Sequence, residues 1–132
     1  MSGQLTNQKG LHALWESLVV EADKKNYPKE RKIQVARIKN PQAFIFQILK
    51  ESHQMLPQVL AAETEASASL PAEEKFEISS SNGRRYYTKA FIRAYADRVG
   101  KQVQDRMYQS AERVGSYWYS AWLEAGQPSL PQ

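Results

Sequence analysis

The longest helical pattern in this chain is TKAFIRAYADRVGKQVQDRMYQSAERVGSYWYSAWLEAG, residues Thr88 to Gly126. Thr88 is a typical helix N-cap, Gly126 suits the C′ position, and Pro128 prevents continuation. Gly100 is a candidate break within this helix. The second half carries an apolar stripe at steps of three and four, which we expect to pack against other elements. The stripe consists of Val103, Met107, Ala111, Val114, Trp118, Ala121, Trp122 and Ala125.

Two further helical patterns precede this one. The first runs from about Lys9 to Lys25 and stops before the turn Asn26-Tyr27-Pro28. The second starts at Asn40, an N-cap followed by proline at the first helical position, and Pro57 is expected to kink or end it. The buried stripe of the first helix is predicted to be Leu11, Leu14, Trp15, Leu18 and Ala22. The broad apolar face of the second is predicted to be Phe44, Ile45, Ile48, Leu49, Ser52 and Leu56.

The segments between the helices are less regular. Residues Lys29 to Lys39 form a basic stretch that fits either a short helix or an extended connector. Residues from about Ala62 to Asn82 are rich in Ala, Ser and Glu and predict a mobile loop. Within it, Lys75 to Ile78 is a candidate strand, paired across a turn with Arg85 to Tyr87. The sequence therefore predicts an all-α fold with one long irregular loop, in a single helical domain over residues 1–132.

Composition excludes several classes of site. The chain has 132 residues, 42% hydrophobic and 24% charged, which suits one modest globular core. No apolar stretch approaches the roughly 20 residues needed to span a bilayer. The opening SGQLTNQKG has no apolar centre, so no signal peptide is expected in this chain. There is no cysteine, so any metal must be held by nitrogen and oxygen.

The stretch LHALWES, residues Leu11 to Ser17, contains the candidate metal ligands His12 and Glu16. Residues four apart on a helix share a face, with Cβ atoms about 5–6 Å apart, close enough to hold one metal ion. Residue pairs with this spacing are also common on the solvent-exposed faces of helices. His53, the other histidine, has no ligand set at helical spacing and is predicted to be a helix-surface or hydrogen-bonded residue. Glu51 is a candidate partner for Arg106 or Arg113.

Three segments together resemble a known superfamily. LHALWES is similar to the Asn-Leu-His-x-x-Trp-Asp/Glu motif of the zinc-dependent single-strand-specific nucleases and zinc-dependent phospholipases C. NPQAFIFQILKESH, residues Asn40 to His53, resembles their proline-capped helix that runs into Glu-Ser. SAERVGSYWYSAWLEAGQPSLP, residues Ser110 to Pro131, is similar to the last helix of bacterial members. The family's usual Asn before Leu-His is Gly10 in this chain.

The resemblance implies the helical fold of that superfamily and hydrolysis of phosphodiesters with the help of a three-zinc cluster. It makes His12 and Glu16 ligands of one zinc, with Glu in place of Asp as in the phospholipase branch. Two histidines cannot complete such a cluster, so the chain resembles the C-terminal part of an enzyme whose N-terminal half is missing. We therefore assign no catalytic residue and expect this chain alone to be inactive. Secretion or a periplasmic location is also implied by the resemblance alone.

The charge pattern leaves three functions open. The net charge is +4, and Lys24 to Lys39 holds seven cations, compatible with phosphate binding or with a solvated basic face. The first function, implied by the resemblance, is an endonuclease-type zinc phosphodiesterase, and the basic charge favours nucleic acid over phospholipid as its substrate. The second is a small helical interaction domain that self-associates through an exposed apolar patch. The third is a basic nucleic-acid-binding module without catalysis. Trp118 and Trp122 lie on the stripe and are predicted to be core rather than a base-stacking platform.

Overall fold

The computed structural model describes residues 8, 10–28 and 30–129. They are mainly helical with one small hairpin, which confirms the all-α class in its coarse form. In the described part, no helix has both the length and the apolarity needed to cross a membrane. The opening stretch, where no signal peptide is expected, lies mostly outside the described residues.

The elements are α1 Leu11–Ala13, a π-helical turn Leu14–Leu18, α2 Val19–Asp23, a 3₁₀ turn Lys24–Asn26, α3 Pro41–Gln54, α4 Leu56–Ala68, a 3₁₀ turn Ala72–Glu74, β1 Phe76–Ile78, β2 Arg85–Tyr87 and α5 Lys89–Glu124.

Two predicted helix starts are confirmed, and the third, at about Lys9, lies outside the described residues. The Asn40 Oδ1 atom accepts the backbone N–H of Ala43 at 3.0 Å, directly before α3. Pro57 lies in the first turn of α4, where a missing N–H is tolerated, so the proline ends one helix and opens the next. The Thr88 hydroxyl accepts the N–H of Phe91 at 3.1 Å and caps α5.

The predicted break at Gly100 is wrong, because α5 is continuous from Lys89 to Glu124. The glycine serves a close approach instead: a Cβ atom at this position would lie 2.4 Å from Oδ2 of Asp23. The end of α5 is as predicted. Gly126 has φ 80° and donates its N–H to the carbonyl of Leu123 at 3.2 Å.

The predicted loop over Ala62 to Asn82 is wrong in its first third. Helix α4 continues to Ala68 because Ala62 and Ala66 are buried on its inner face and alanine is the best helix former. The hairpin is confirmed, with β1 and β2 antiparallel and Phe76 paired with Tyr87. In the basic stretch, the described residues 30–39 contain no helix, and the alternate N–H groups of residues 34, 36 and 38 face α5, as in an extended connector.

The first helical run has a different buried face from the predicted one. Leu11 and Leu14 are buried as expected, but Val19 and Asp23 are buried in the next two turns, whereas Ala22 is exposed. The π-helical turn Leu14–Leu18 explains the shift, because it inserts one extra residue into the helical repeat. Every later side chain is therefore displaced by one position around the helix axis.

The chain forms two compact units. The first unit comprises Met1–Tyr27 and Met55–Gln104, and the second comprises Pro28–Gln54 and Asp105–Gln132. The first unit holds an apolar core built from α1, the π turn, α2, α4 and the first half of α5. Its buried members are Leu11, Leu14, Val19, Val59, Ala62, Ala66, Phe91, Tyr95, Ala96, Val99 and Val103. The prediction of a single helical domain over residues 1–132 stays a prediction.

The second unit buries few side chains among the described residues, namely Ile38, Ser116 and Ser120. The stripe predicted to pack along α5 is therefore exposed beyond Val103, except for Trp122, which is half-buried. Trp118 is 75% exposed, because α5 turns its serine face, not its apolar face, toward the extended segment 34–38. Half of the apolar face predicted for the second helix is also exposed, namely Ile45, Leu49 and Ser52, whereas Phe44, Ile48 and Leu56 are half-buried.

Candidate metal site

His12 and Glu16 meet on one side of the first helical run. The Nε2 atom of His12 lies 3.1 Å from Oε2 of Glu16, and each side chain is 52% exposed. His12 belongs to α1 and Glu16 to the π-helical turn that follows it. The two donors are thus brought together, as the spacing predicts, and both are open to solvent.

The donor set suits a zinc ion as part of a site. Imidazole nitrogen and carboxylate oxygen are both ordinary zinc ligands. Two such atoms, each about 2.0–2.1 Å from a tetrahedral zinc ion, would be roughly 3.3 Å apart. The observed separation of 3.1 Å is close to this value. The pair is also a normal exposed i,i+4 contact, which by itself contributes about 0–1 kcal/mol to stability.

A complete zinc site is not formed by the described residues. They contain no group of three or more His, Cys, Asp or Glu side chains that could hold a metal ion. His53 is exposed near the end of α3 and belongs to the second unit, whereas His12 belongs to the first. The chain thus brings together two of the three or four protein ligands that a zinc site needs.

Glu63 is the most deeply buried carboxylate in the described chain, at 3% exposure. Lys75 Nζ lies 2.5 Å from its Oε1 atom, and Gln8 donates to Oε2 at 2.6 Å. Burial and the Glu63 charge both raise the pKa of Tyr95. Because the carboxylate is satisfied by its neighbours and closed to solvent, it suits a structural role rather than ligand binding.

Glu51 has the two partners that the sequence suggested. Its Oε2 atom is 3.5 Å from Nη1 of Arg106 and hydrogen-bonds Nη2 of Arg113. The hydrogen bond from Arg113 holds the pKa of this carboxyl below its usual value. This cluster ties α3 to α5 within the second unit, so the prediction that Glu51 pairs with an arginine is confirmed.

The basic segment is held by a backbone ladder that sequence reasoning missed. The N–H groups of Gln34, Ala36 and Ile38 donate to side chains of α5 four residues apart, at distances of 3.3, 3.2 and 2.8 Å. The acceptors are Glu112, Ser116 and Ser120. Two extended residues span about 6.6 Å and four helical residues about 6.0 Å, so the two repeats nearly match.

A signal for this ladder is present in the sequence. Polar residues that can accept a hydrogen bond recur at steps of four on α5. Gly115 leaves room for the segment, since a Cβ atom there would lie 3.0 Å from Cγ2 of Val35. The ladder orients the cations of the segment. Arg31 lies 4.3 Å from the centre of the Tyr108 ring, while Lys32, Arg37 and Lys39 are exposed.

No protein-family model, no curated protein and no solved structure matches this chain. The zinc nuclease and phospholipase C resemblance therefore rests on the three quoted segments. Its consequences for this chain, including zinc, substrate and cellular location, stay predictions.

Proposed function

We propose that this chain is the C-terminal part of a zinc-dependent phosphodiesterase, of the endonuclease type, in which His12 and Glu16 supply two ligands of one zinc ion. The observation that carries the proposal is the Nε2 to Oε2 distance of 3.1 Å between two half-exposed side chains of the donor types that zinc prefers. Further ligands must come from polypeptide beyond the described residues, so the chain alone would be inactive.

The backbone conformation of Gly10 supports the resemblance at the position where the sequence departs from the family motif. The superfamily motif has Asn where this chain has Gly10, and this residue has φ 84° at the start of the helical run. Glycine and asparagine are the two residue types that most readily adopt a positive φ. The departure from the motif is therefore conservative in backbone terms. The π-helical turn that contains Glu16 is a second support, because such turns are frequent at functional sites.

The residues of this chain would bind and orient in such an enzyme. His12 and Glu16 would hold zinc, and Leu11 and Leu14, both buried, fix the helix that presents them. A zinc ion in such a site polarises the phosphodiester and lowers the pKa of a bound water. Nucleic acid is preferred to phospholipid because Lys32, Arg37 and Lys39 are exposed on the second unit, where they would attract phosphates.

Zinc titration of the purified chain tests the proposal. We expect weak zinc binding in isothermal calorimetry, at least tenfold weaker in His12→Ala and in Glu16→Gln, because each change removes one of the two donors. His53→Ala is the matched control, since it deletes the other histidine at an exposed position on α3. Zinc affinity that falls equally in the His53 and His12 variants, or in neither, would contradict the proposed site.

Activity forms the second arm of this test. The purified chain should not cleave single-stranded DNA, RNA or phosphatidylcholine in the presence of zinc, because two ligands leave the site incomplete. Extending the chain with the coding sequence upstream of Met1 should restore zinc-dependent cleavage of a single-stranded substrate. If His12→Ala leaves the activity of the extended enzyme unchanged, the ligand role of this residue is wrong.

A second function, a helical interaction module, is favoured by a different observation. The second unit exposes apolar side chains on two helices, including Phe46 at 63% and Trp118 at 75%. Exposed apolar surface that forms a contiguous patch marks interaction sites, so these side chains are candidates for contact with a partner. This function requires no metal, so His12→Ala would not affect it.

A further inference from the structure

The exposed stripe on the C-terminal half of α5 has the spacing of a helix-pairing seam. Its members follow one another at steps of four, three, four and three residues, which is the heptad spacing of a two-helix interface. Met107 is 45% exposed, Val114 48% and Trp118 75%, and the two alanines between and beyond them are exposed as well. We call this the α5 seam, defined by Met107, Ala111, Val114, Trp118 and Ala121.

The α5 seam is complementary to itself in one orientation. A second copy of α5 lying antiparallel, with the twofold axis at Val114, would place Met107 opposite the partner's Ala121. The same register would place Trp118 level with the partner's Ser110 and beside its Ala111, which are both small. Each large side chain then meets a small one, which is how well-packed helix faces interdigitate. A parallel arrangement would set Trp118 against Trp118 and leave the alanines facing one another.

The charges of this half of α5 do not obstruct such a contact. Arg106 and Arg113 point to Glu51, and Asp105 lies 3.6 Å from Arg31, all within the second unit. Glu112 accepts the N–H of Gln34. None of the five residues of the α5 seam is charged. Pairing two seams would therefore bury apolar surface without burying an unpaired charge.

We propose that this chain forms an antiparallel homodimer through the α5 seam, with Val114 at the twofold axis. A second copy of the same chain thus covers the exposed stripe. The reason is that large side chains of the seam meet small ones when the same sequence runs in the opposite direction. This inference does not rest on the zinc proposal, and its tests are done in EDTA so that the two can fail separately.

Sedimentation equilibrium is the first test. We expect a concentration-dependent mass approaching twice the monomer mass of 15.1 kDa. Val114→Asp should weaken association at least tenfold, because it places two like charges at the axis. Leu49→Asp is the matched control: it removes an exposed apolar side chain from α3 of the same unit and should leave association unchanged. A monomer at every concentration, or equal loss in both variants, would overturn the proposal.

Cysteine crosslinking tests the orientation, using the absence of any native cysteine. Val114→Cys should form a disulfide-linked dimer rapidly on mild oxidation, since the axis brings residue 114 next to its own copy. Met107→Cys should not crosslink to itself, because its copy would be about 21 Å away along the helix axis. A mixture of Met107→Cys and Ala121→Cys should crosslink to each other. If Met107→Cys crosslinks as fast as Val114→Cys, the antiparallel register is wrong.

Discussion

The two units of this chain are held together by different interactions. The first unit has an apolar core, in which Phe91, Tyr95 and Val99 from α5 are completely buried. The second unit buries Ile38 and two serines among its described residues, and holds an extended segment and a helix onto α5 through hydrogen bonds and ion pairs. One helix thus serves both units, with its apolar residues buried in one and exposed in the other.

This contrast indicates that the two units differ in stability. Burial of apolar side chains contributes about 1.5–3 kcal/mol for each fully buried large residue, whereas an intramolecular hydrogen bond contributes about 0.5–1.5 kcal/mol. We therefore expect the first unit to unfold last and the second to open locally at lower free energy.

Phe91→Ala should have the largest effect. The Phe91 ring is fully buried and stacks on Tyr87 with ring centroids 5.1 Å apart. Its removal leaves a cavity and should lower the free energy of unfolding by about 3–5 kcal/mol in urea titrations. Ile78→Ala is the control, since Ile78 is 75% exposed and its loss should change stability by less than about 0.5 kcal/mol. Equal effects would mean that the first unit lacks the core described above.

Glu63→Met should be nearly as disruptive, because it leaves the Lys75 ammonium without its carboxylate. Breaking a buried ion pair on one side typically costs about 3 kcal/mol or more, whereas replacing both partners by apolar groups is often neutral. The double variant Glu63→Met, Lys75→Met should therefore be more stable than the single one in the same urea titration. A double variant as unstable as the single one would show that Gln8, which donates to Glu63 at 2.6 Å, dominates the site.

Local signals in the sequence predicted the ends of elements well. Asn40, Thr88 and Gly126 each act through a hydrogen bond or backbone angle within their own turn, so their roles follow from neighbouring residues. The β1–β2 hairpin is likewise set by residues close in sequence. The i,i+4 contact of His12 with Glu16 is also local, so the spacing of the two residues was enough to predict it.

The errors arose where distant segments decide the outcome. Gly100 allows a close approach of Asp23, 77 residues earlier in the chain, and does not break the helix. No local sequence pattern reveals such a contact. The α5 stripe follows the helical period perfectly, yet burial depends on which face the segment 34–38 covers. Periodicity shows that a face is apolar but does not identify what covers it. The π-helical turn also shifted the buried face of the first helical run by one residue.

Ser120→Ala tests the ladder of the second unit. The change removes the acceptor of the buried Ile38 N–H, which lies 2.8 Å from the Ser120 hydroxyl. We expect a local loss of about 1 kcal/mol, seen as roughly fivefold faster amide hydrogen exchange at Ile38. Ser110→Ala is the matched control on the same helix, because that exposed hydroxyl donates to the carbonyl of Arg106, one turn earlier. Unchanged exchange at Ile38 in Ser120→Ala would mean that the ladder contributes nothing to the second unit.

Protonation of Glu51 should have the smallest effect of these changes, and it should act on the second unit. The hydrogen bond from Arg113 lowers the pKa of Glu51 in the folded chain. A lowered carboxyl pKa contributes stability that is fully present above the unfolded-state value of about 4.3 and is lost as the pH falls through the folded-state value. Because Glu51 is about one-third exposed, at 33%, we expect less than about 1 kcal/mol.

Amide exchange along α3 between pH 6 and pH 3, corrected for intrinsic rates, measures this contribution. Glu51→Gln should already show at pH 6 the weakened protection that the native chain shows at pH 3, and should lose little more on acidification. Glu124→Gln is the control, because Glu124 is an exposed carboxyl on α5 of the same unit. If protection of α3 in the native chain does not fall with pH, the Glu51–Arg113 contact does not hold the second unit together. Helix α3 would then be held to α5 by the hydrogen bonds from Arg106 to the Ser52 hydroxyl and from Tyr117 to the Pro41 carbonyl.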